Sequence, residues 1–162
     1  MAMTESQIQS ILGTAVAASA ANASVNIGGF GNGSLFDGKN FYVKLPEPSS
    51  YEAMTATIVK EVRNSDGEIS FTVVKEDAAK ITLEWSILSG ATWGAILSIF
   101  SGKDRFVRPV KFINQTDNDF ATRMMYVSDR TAEIHSRKFV NGEVRIIYKN
   151  CKLELIDTRK KQ

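Results

Sequence analysis

The chain is poor in the residue types that most often carry chemistry. Its 162 residues hold one cysteine, Cys151, and one histidine, His135. A single cysteine excludes an internal disulfide, and the neighbours Tyr148, Leu153 and Leu155 mark it as a small core residue rather than a reactive thiol. A single histidine, with no second His or Cys beside it, cannot build a usual zinc site, and no nucleophile motif accompanies it as a triad would require. Long apolar runs are missing too. Residues 11–23 are apolar and small, but too short and too polar for the roughly 20 apolar residues of a membrane span. They also lack a basic leader, because no Lys or Arg precedes Lys39. We therefore expect a soluble protein made in the cytoplasm, without a membrane partner. A formal charge of +2 with 23% charged residues provides no strong field towards nucleic acid or lipid.

Sites suggested by composition are weak in pattern. Gly-Phe-Gly-Asn-Gly at 29–33 lacks the Gly-Lys-Ser/Thr of a phosphate loop and the bracketing strand and helix, so it reads as linker. Thr116-Asp-Asn-Asp119 resembles part of a calcium loop without its closing acidic residue, and reads as a turn. Glu61, Glu68, Glu76, Asp77 and Glu84 are scattered, and no glycosidase-like pair can be nominated. Arg105, Arg108 and Lys111 interleave with Phe106 and Phe112 as a nucleic-acid surface would. Alternation, however, puts Arg108 on the side of the two phenylalanines unless Pro109 resets the phase. No cofactor, metal or catalytic residue is expected.

What is present is periodicity. Residues 4–21 carry Ile8, Ile11, Leu12, Ala15 and Val16 at helical spacing, with Thr4 or Ser6 able to cap. Residues 22–38 change to Gly, Asn and Ser, the makeup of a flexible connection. Phe30, Leu35 and Phe36 on that segment can either anchor in a neighbour's groove or cover their own domain. Residues 41–45 alternate as a strand ended by Pro46 and Pro48. A hairpin follows over 55–74, turning at Asn64-Ser-Asp-Gly67, with Arg63, Asp66 and Glu68 exposed at its tip. Ile81, Leu83, Trp85 and Ile87 share one strand face. Trp93, Ile96, Leu97 and Phe100 then share one helix face over 92–101, and the packing of Trp85 against Trp93 is predicted. Pro109 suggests an edge strand or bulge for 105–113. Ser128-Asp129-Arg130 reads as a turn and Asn141-Gly142 as a two-residue hairpin. A parity change between Tyr148 and Cys151 predicts a bulge at Lys149-Asn150. The expected fold is α+β, mainly β: an antiparallel sandwich or barrel with one flanking helix over 39–157, an N-terminal helical or extended arm and Gly-rich linker over 1–38, and a basic tail over 158–162.

Three segments carry a family resemblance: Val62-Arg-Asn-Ser-Asp-Gly67, Lys80-Ile-Thr-Leu-Glu-Trp85, and Tyr126-Val-Ser-Asp-Arg130 with the last strand pair. Over residues 55–157 the chain resembles small tail-module proteins of long-tailed bacteriophages, similar to tail tube and distal-tail or baseplate subunits. The resemblance implies a noncatalytic virion protein that assembles with itself, as a sixfold ring, and with neighbouring tail proteins. DNA would pass through the lumen without sequence recognition. The contacts expected on this basis come from Ile8, Ile11, Leu12, Phe30, Leu35 and Phe36 on the arm and from Arg63, Asn64 and Asp66 on the hairpin. The alternative is a monomeric sugar- or peptide-binding adaptor domain that stacks ligand on Trp85, Trp93 or Tyr126.

Overall fold

The computed structural model describes residues 3–31, 41–102 and 105–158, the side chains of residues 75 and 76 excepted. Among the described residues, two α-helices and eight strands follow in the order α1 (Glu5–Leu12), β1 (Val16–Ala17), β2 (Val25–Phe30), β3 (Phe41–Lys44), β4 (Ser50–Arg63), β5 (Ile69–Ser89), α2 (Gly90–Ile99), β6 (Val107–Asn114), β7 (Asp119–Val140) and β8 (Glu143–Asp157). The strands form one antiparallel sheet in the order β1-β3-β2-β6-β7-β8-β5-β4. The α+β, mainly β expectation holds, with a single sheet in place of two stacked ones. The sheet curls, because the Tyr51 hydroxyl on edge strand β4 donates to Ile113 O on β6 at 2.7 Å, four strands away in sheet order.

The core lies on the inner face of that curl. Ile81, Leu83 and Trp85 of β5 face Leu155, Leu153 and Cys151 of β8 across the ladder, and all six are buried. Cys151 is thus a core residue, and burial pushes its thiol pKa up. Trp85 meets Trp93 edge to face at 6.2 Å, as predicted. Helix α2 is apolar around most of its circumference, the pattern of a buried helix, and it packs with α1 onto the sheet. Ser89 caps its start by accepting from Thr92 N. Thr4 caps α1 through a capping box with Gln7.

The expected arm is integral to the fold over its described part. Residues 25–30, read as linker from their glycines, form β2, which is paired to β3 on one side and to β6 on the other. Glycine serves close approach here: a Cβ on Gly28 would lie 2.6 Å from the Tyr42 ring and 2.8 Å from the Pro109 ring. Local composition is therefore overridden by tertiary packing. Pro109 likewise sits on an internal strand, in register with Met124 of β7, beyond the last β2–β6 pair Ile27–Val110. Ser128-Asp129-Arg130 is not a turn. Strand β7 continues through it with a register shift between Val127–Leu155 and Arg130–Leu153, a bulge in which pairing to β8 outweighs local turn preference. The bulge predicted at Lys149-Asn150 is present against β7, with φ 51° at Asn150 and a register shift between Thr131–Lys152 and Glu133–Lys149.

One contact gives a direct test of helix seating. A Cβ on Gly90 would stand 2.8 Å from the backbone carbonyl oxygen of Ile146. That atom cannot rotate away as a side chain could. Gly90→Ala should force α2 off β8 and lower stability by about 2 kcal/mol, despite the better helix propensity of alanine. Urea denaturation read by tryptophan fluorescence measures this; an unchanged midpoint would mean that the helix shifts freely.

Candidate assembly surface

Two hairpins outgrow the core. The turn Asn64–Gly67 is locked by Asn64, whose side-chain oxygen accepts from Asp66 N at 3.1 Å and Glu68 N at 2.9 Å. Strand β5 meets β8 only from Lys80 to Ser89, so residues 69–78 pair with β4 alone among the described residues. At Asn141–Gly142, φ values of 51° and 79° give the two-residue turn expected of Asn-Gly. Among the described residues, β7 beyond Arg130 pairs only with β8, and β8 residues 143–146 pair only with β7. Ser89 is opposite Ile147 and Lys80 is opposite Ile156, so the two turns lie beyond opposite ends of the same sheet.

Both overhangs expose apolar side chains. In the first, Val59 opposite Val73 shares a face with Phe71 and Ile69, which stand opposite Glu61 and Arg63, since directly opposed residues of an antiparallel ladder point the same way. Phe71 is 64% exposed. In the second, Ile134 opposite Tyr148 and Phe139 opposite Val144 share a face that continues the core side of β8. Ile134 and Phe139 are 59% and 71% exposed. A two-stranded ribbon is marginal in water, and open edges with exposed β-branched and aromatic residues are templates for pairing. These surfaces are chemically suited to a protein partner.

The residues expected from sequence are distributed unevenly. Ile8, Leu12 and Phe30 are buried in the chain's own core, so the reading in which they grip a neighbour is corrected: the helix and β2 bring them inward beside Val43 and Ile96. Ile11 is exposed. Leu35 and Phe36 lie outside the described residues. Arg63, Asn64 and Asp66 are all exposed at the first hairpin tip, although the Asn64 side chain serves the turn itself. Sequence reasoning did not single out Phe71, Val73, Ile134, Phe139 and Val144. The available signal was alternation continuing well past the length a small core can cover.

Other candidates are dispersed. Arg108 and Phe112 point into the core, Phe106 is exposed and stacks on Tyr126 at 5.4 Å, and Lys111 donates to Ala18 O and Ala21 O. The basic and aromatic set therefore does not form one surface. Trp85 and Trp93 are buried, with Trp85 Nε1 donating to Pro46 O, and so present no face on which a sugar could stack. A hollow of about 580 Å³ beside Trp85 is lined mainly by polar residues such as Ser49, Glu84, Thr131 and Asn150. His135 is exposed on β7. Residues 116–118 form the turn between β6 and β7, held by Asn114 and Asp77. Among the described residues, no group of three or more His, Cys, Asp and Glu side chains could hold a metal, and no helix is long and apolar enough to cross a membrane. No family model matches the chain, and no curated protein matches its sequence.

Proposed function

We propose that this chain is a noncatalytic structural subunit of a bacteriophage tail, a tube or distal-tail ring component. It assembles with copies of itself, six to a ring, around a channel through which DNA passes. The observation that carries this reading is the pair of hairpins with exposed apolar side chains, Val59, Phe71 and Val73 on one and Ile134, Phe139 and Val144 on the other. A subunit that spends its life as a free monomer would gain nothing from those faces and would risk aggregation through them. Covering them with neighbouring copies removes both problems. The resemblance of residues 55–157 to tail-module proteins supports the same reading, and the near-neutral charge of +2 suits a protein past which DNA slides rather than one that grips it.

Size-exclusion chromatography with light scattering, followed by negative-stain imaging, tests the proposal. The full chain should form rings or concentration-dependent polymers. Phe71→Asp and Phe139→Asp should each weaken assembly by about 30-fold or more, the scale of a buried aromatic hot spot. Their thermal melts as monomers should be nearly unchanged, because both positions are exposed. A strict monomer at high concentration, or variants that assemble like the parent, would refute the reading.

A further inference from the structure

We propose that the hollow between residues 13–22 and the outer face of β2 and β3 is a binding site for a small oxyanion, a phosphate or a compact dicarboxylate. It involves neither hairpin and is independent of the assembly reading. Alternation builds the floor: Val25, Ile27, Val43, Val110 and Phe112 point into the core, so their neighbours Asn26, Tyr42, Lys44 and Lys111 face the other way. Lys44 is directly opposed to Asn26, and Asn26 to Lys111, which sets the three side by side across β3, β2 and β6. The segment between α1 and β2 crosses this face. Lys111 holds it from below, its Nζ donating to Ala18 O at 2.8 Å and to Ala21 O at 2.6 Å, at the start and just past the end of a 3-10 turn over Ala18–Ala20. Asn26 pins the end of the segment by donating to Ala23 O at 2.7 Å.

The hollow left under the segment measures about 320 Å³, the lower end of small-molecule pockets, and its polar lining is rich in donors. Lys44 supplies an ammonium group, Tyr42 and Thr14 hydroxyls, and Asn22 an amide; among the described residues, no Asp or Glu lines it. Two of its polar side chains are set into the protein, since Tyr42 is 5% and Asn26 1% exposed. The Tyr42 ring sits so close to Gly28 that a Cβ there would stand 2.6 Å from it, which fixes the ring in place. Burial pushes the Tyr42 hydroxyl pKa up and so keeps it a donor at neutral pH. The charge of Lys111 lies against Ala21, a lining residue, and its partners there are neutral: two carbonyls and the Phe120 ring at 4.8 Å. Glu47, the acidic residue nearest to Lys44 in sequence, is engaged by Ser24 through N at 2.9 Å and Oγ at 2.6 Å. Two cations beside a half-enclosed, carboxylate-free lining give a positive potential that partial exclusion of water strengthens. Donors approach from β3 and from the crossing segment, which suits an anion with several oxygens better than chloride.

Isothermal titration calorimetry of the full-length chain tests the site, with inorganic phosphate and succinate as probes and sodium chloride holding the ionic strength constant. At least one of the two should bind saturably, one per chain, with a Kd of about 1 mM or tighter, and should raise the melting temperature as its concentration rises. Which of them binds tells a phosphate site from a carboxylate site. Lys44→Gln should weaken binding by about tenfold or more, because it removes a charge-assisted hydrogen bond. Lys44 is exposed, so this variant should keep the parent's circular dichroism and melt. Tyr42→Phe retains the ring beside Gly28 and should weaken binding by about threefold to tenfold through loss of the hydroxyl alone. Lys60→Gln, on the β4–β5 hairpin, should bind like the parent. No saturable binding of either anion up to about 20 mM would overturn the proposal. So would a Lys44→Gln variant that binds like the parent, or a Lys60→Gln variant that loses as much as Lys44→Gln, the mark of diffuse surface charge. Ring formation is read separately by light scattering, so either proposal can fail without the other.

Discussion

Removal of residues 1–38 should abolish cooperative folding, not merely assembly. Within that segment Ile8, Val25, Ile27 and Phe30 are at most 1% exposed, and Leu12 is buried as well. Full burial of such side chains contributes about 1.5–3 kcal/mol each, so their combined loss rivals the 5–15 kcal/mol that holds a typical domain together. The topology adds a second reason. Among the described residues, β2 is the only strand that joins β3 and β1 to the rest of the sheet, through β6. Without it, both edges of β3 and one edge of β6 lose partners, and their buried amides and carbonyls lose hydrogen bonds. Circular dichroism with a thermal melt should show loss of a sharp transition and exposure of tryptophan. A truncated chain that melts cooperatively and only fails to assemble would mean that residues 1–38 form a detachable docking arm after all. Point substitution separates the two ideas further: Ile27→Ala should cost about 2–5 kcal/mol, whereas Ile11→Ala, at an exposed position, should cost little.

The contrast between those positions shows where sequence is informative. Turns with strong local chemistry, Asn64–Gly67 and Asn141–Gly142, were legible because the backbone there needs residues that tolerate positive φ. The Trp85–Trp93 contact was legible because one strand period and one helix period meet across Ser89-Gly90. The bulge at Asn150 followed from a parity change alone. Strand β2 was hidden, since Gly28 is selected by the approach of the Tyr42 and Pro109 rings from distant parts of the chain, which a local window reads as flexibility. The bulge at residues 128–130 was hidden for the same reason, with Ser-Asp as good a turn locally as any. For the candidate assembly surface, alternation revealed that Phe71 and Phe139 belong to strands. It could not reveal that the sheet ends before them, because a side chain's period is the same whether its face meets a core, a neighbour or water.

Replacing Arg108 should be the most damaging single substitution among the charged residues. This guanidinium is 4% exposed. Its Nε donates to Ile99 O at 2.8 Å and NH1 to Gly28 O at 3.1 Å, while the Phe30 ring lies 4.7 Å beneath. Burial, with Arg105 adding repulsion, pushes its pKa down to about 10, which still leaves it charged at neutral pH. The charge is tolerated because Ile99 is the last residue of α2, where the helix dipole is negative and the terminal carbonyls need donors. The aromatic face beneath contributes a cation–π attraction of about 2 kcal/mol when desolvated. Arg108→Ala orphans two carbonyls, at about 1–3 kcal/mol for each buried group left unsatisfied, and leaves a cavity. We expect a loss of about 3–5 kcal/mol, or roughly 6–20 °C in melting temperature. Arg108→Met is the decisive comparison. It fills much of the space and removes the cost of a buried charge, but it cannot donate. A loss of about 2 kcal/mol in urea denaturation would show that the side chain ties α2 to β2 by hydrogen bonding. A methionine variant as stable as the parent would show that the charge is a net burden and that packing alone seats the helix.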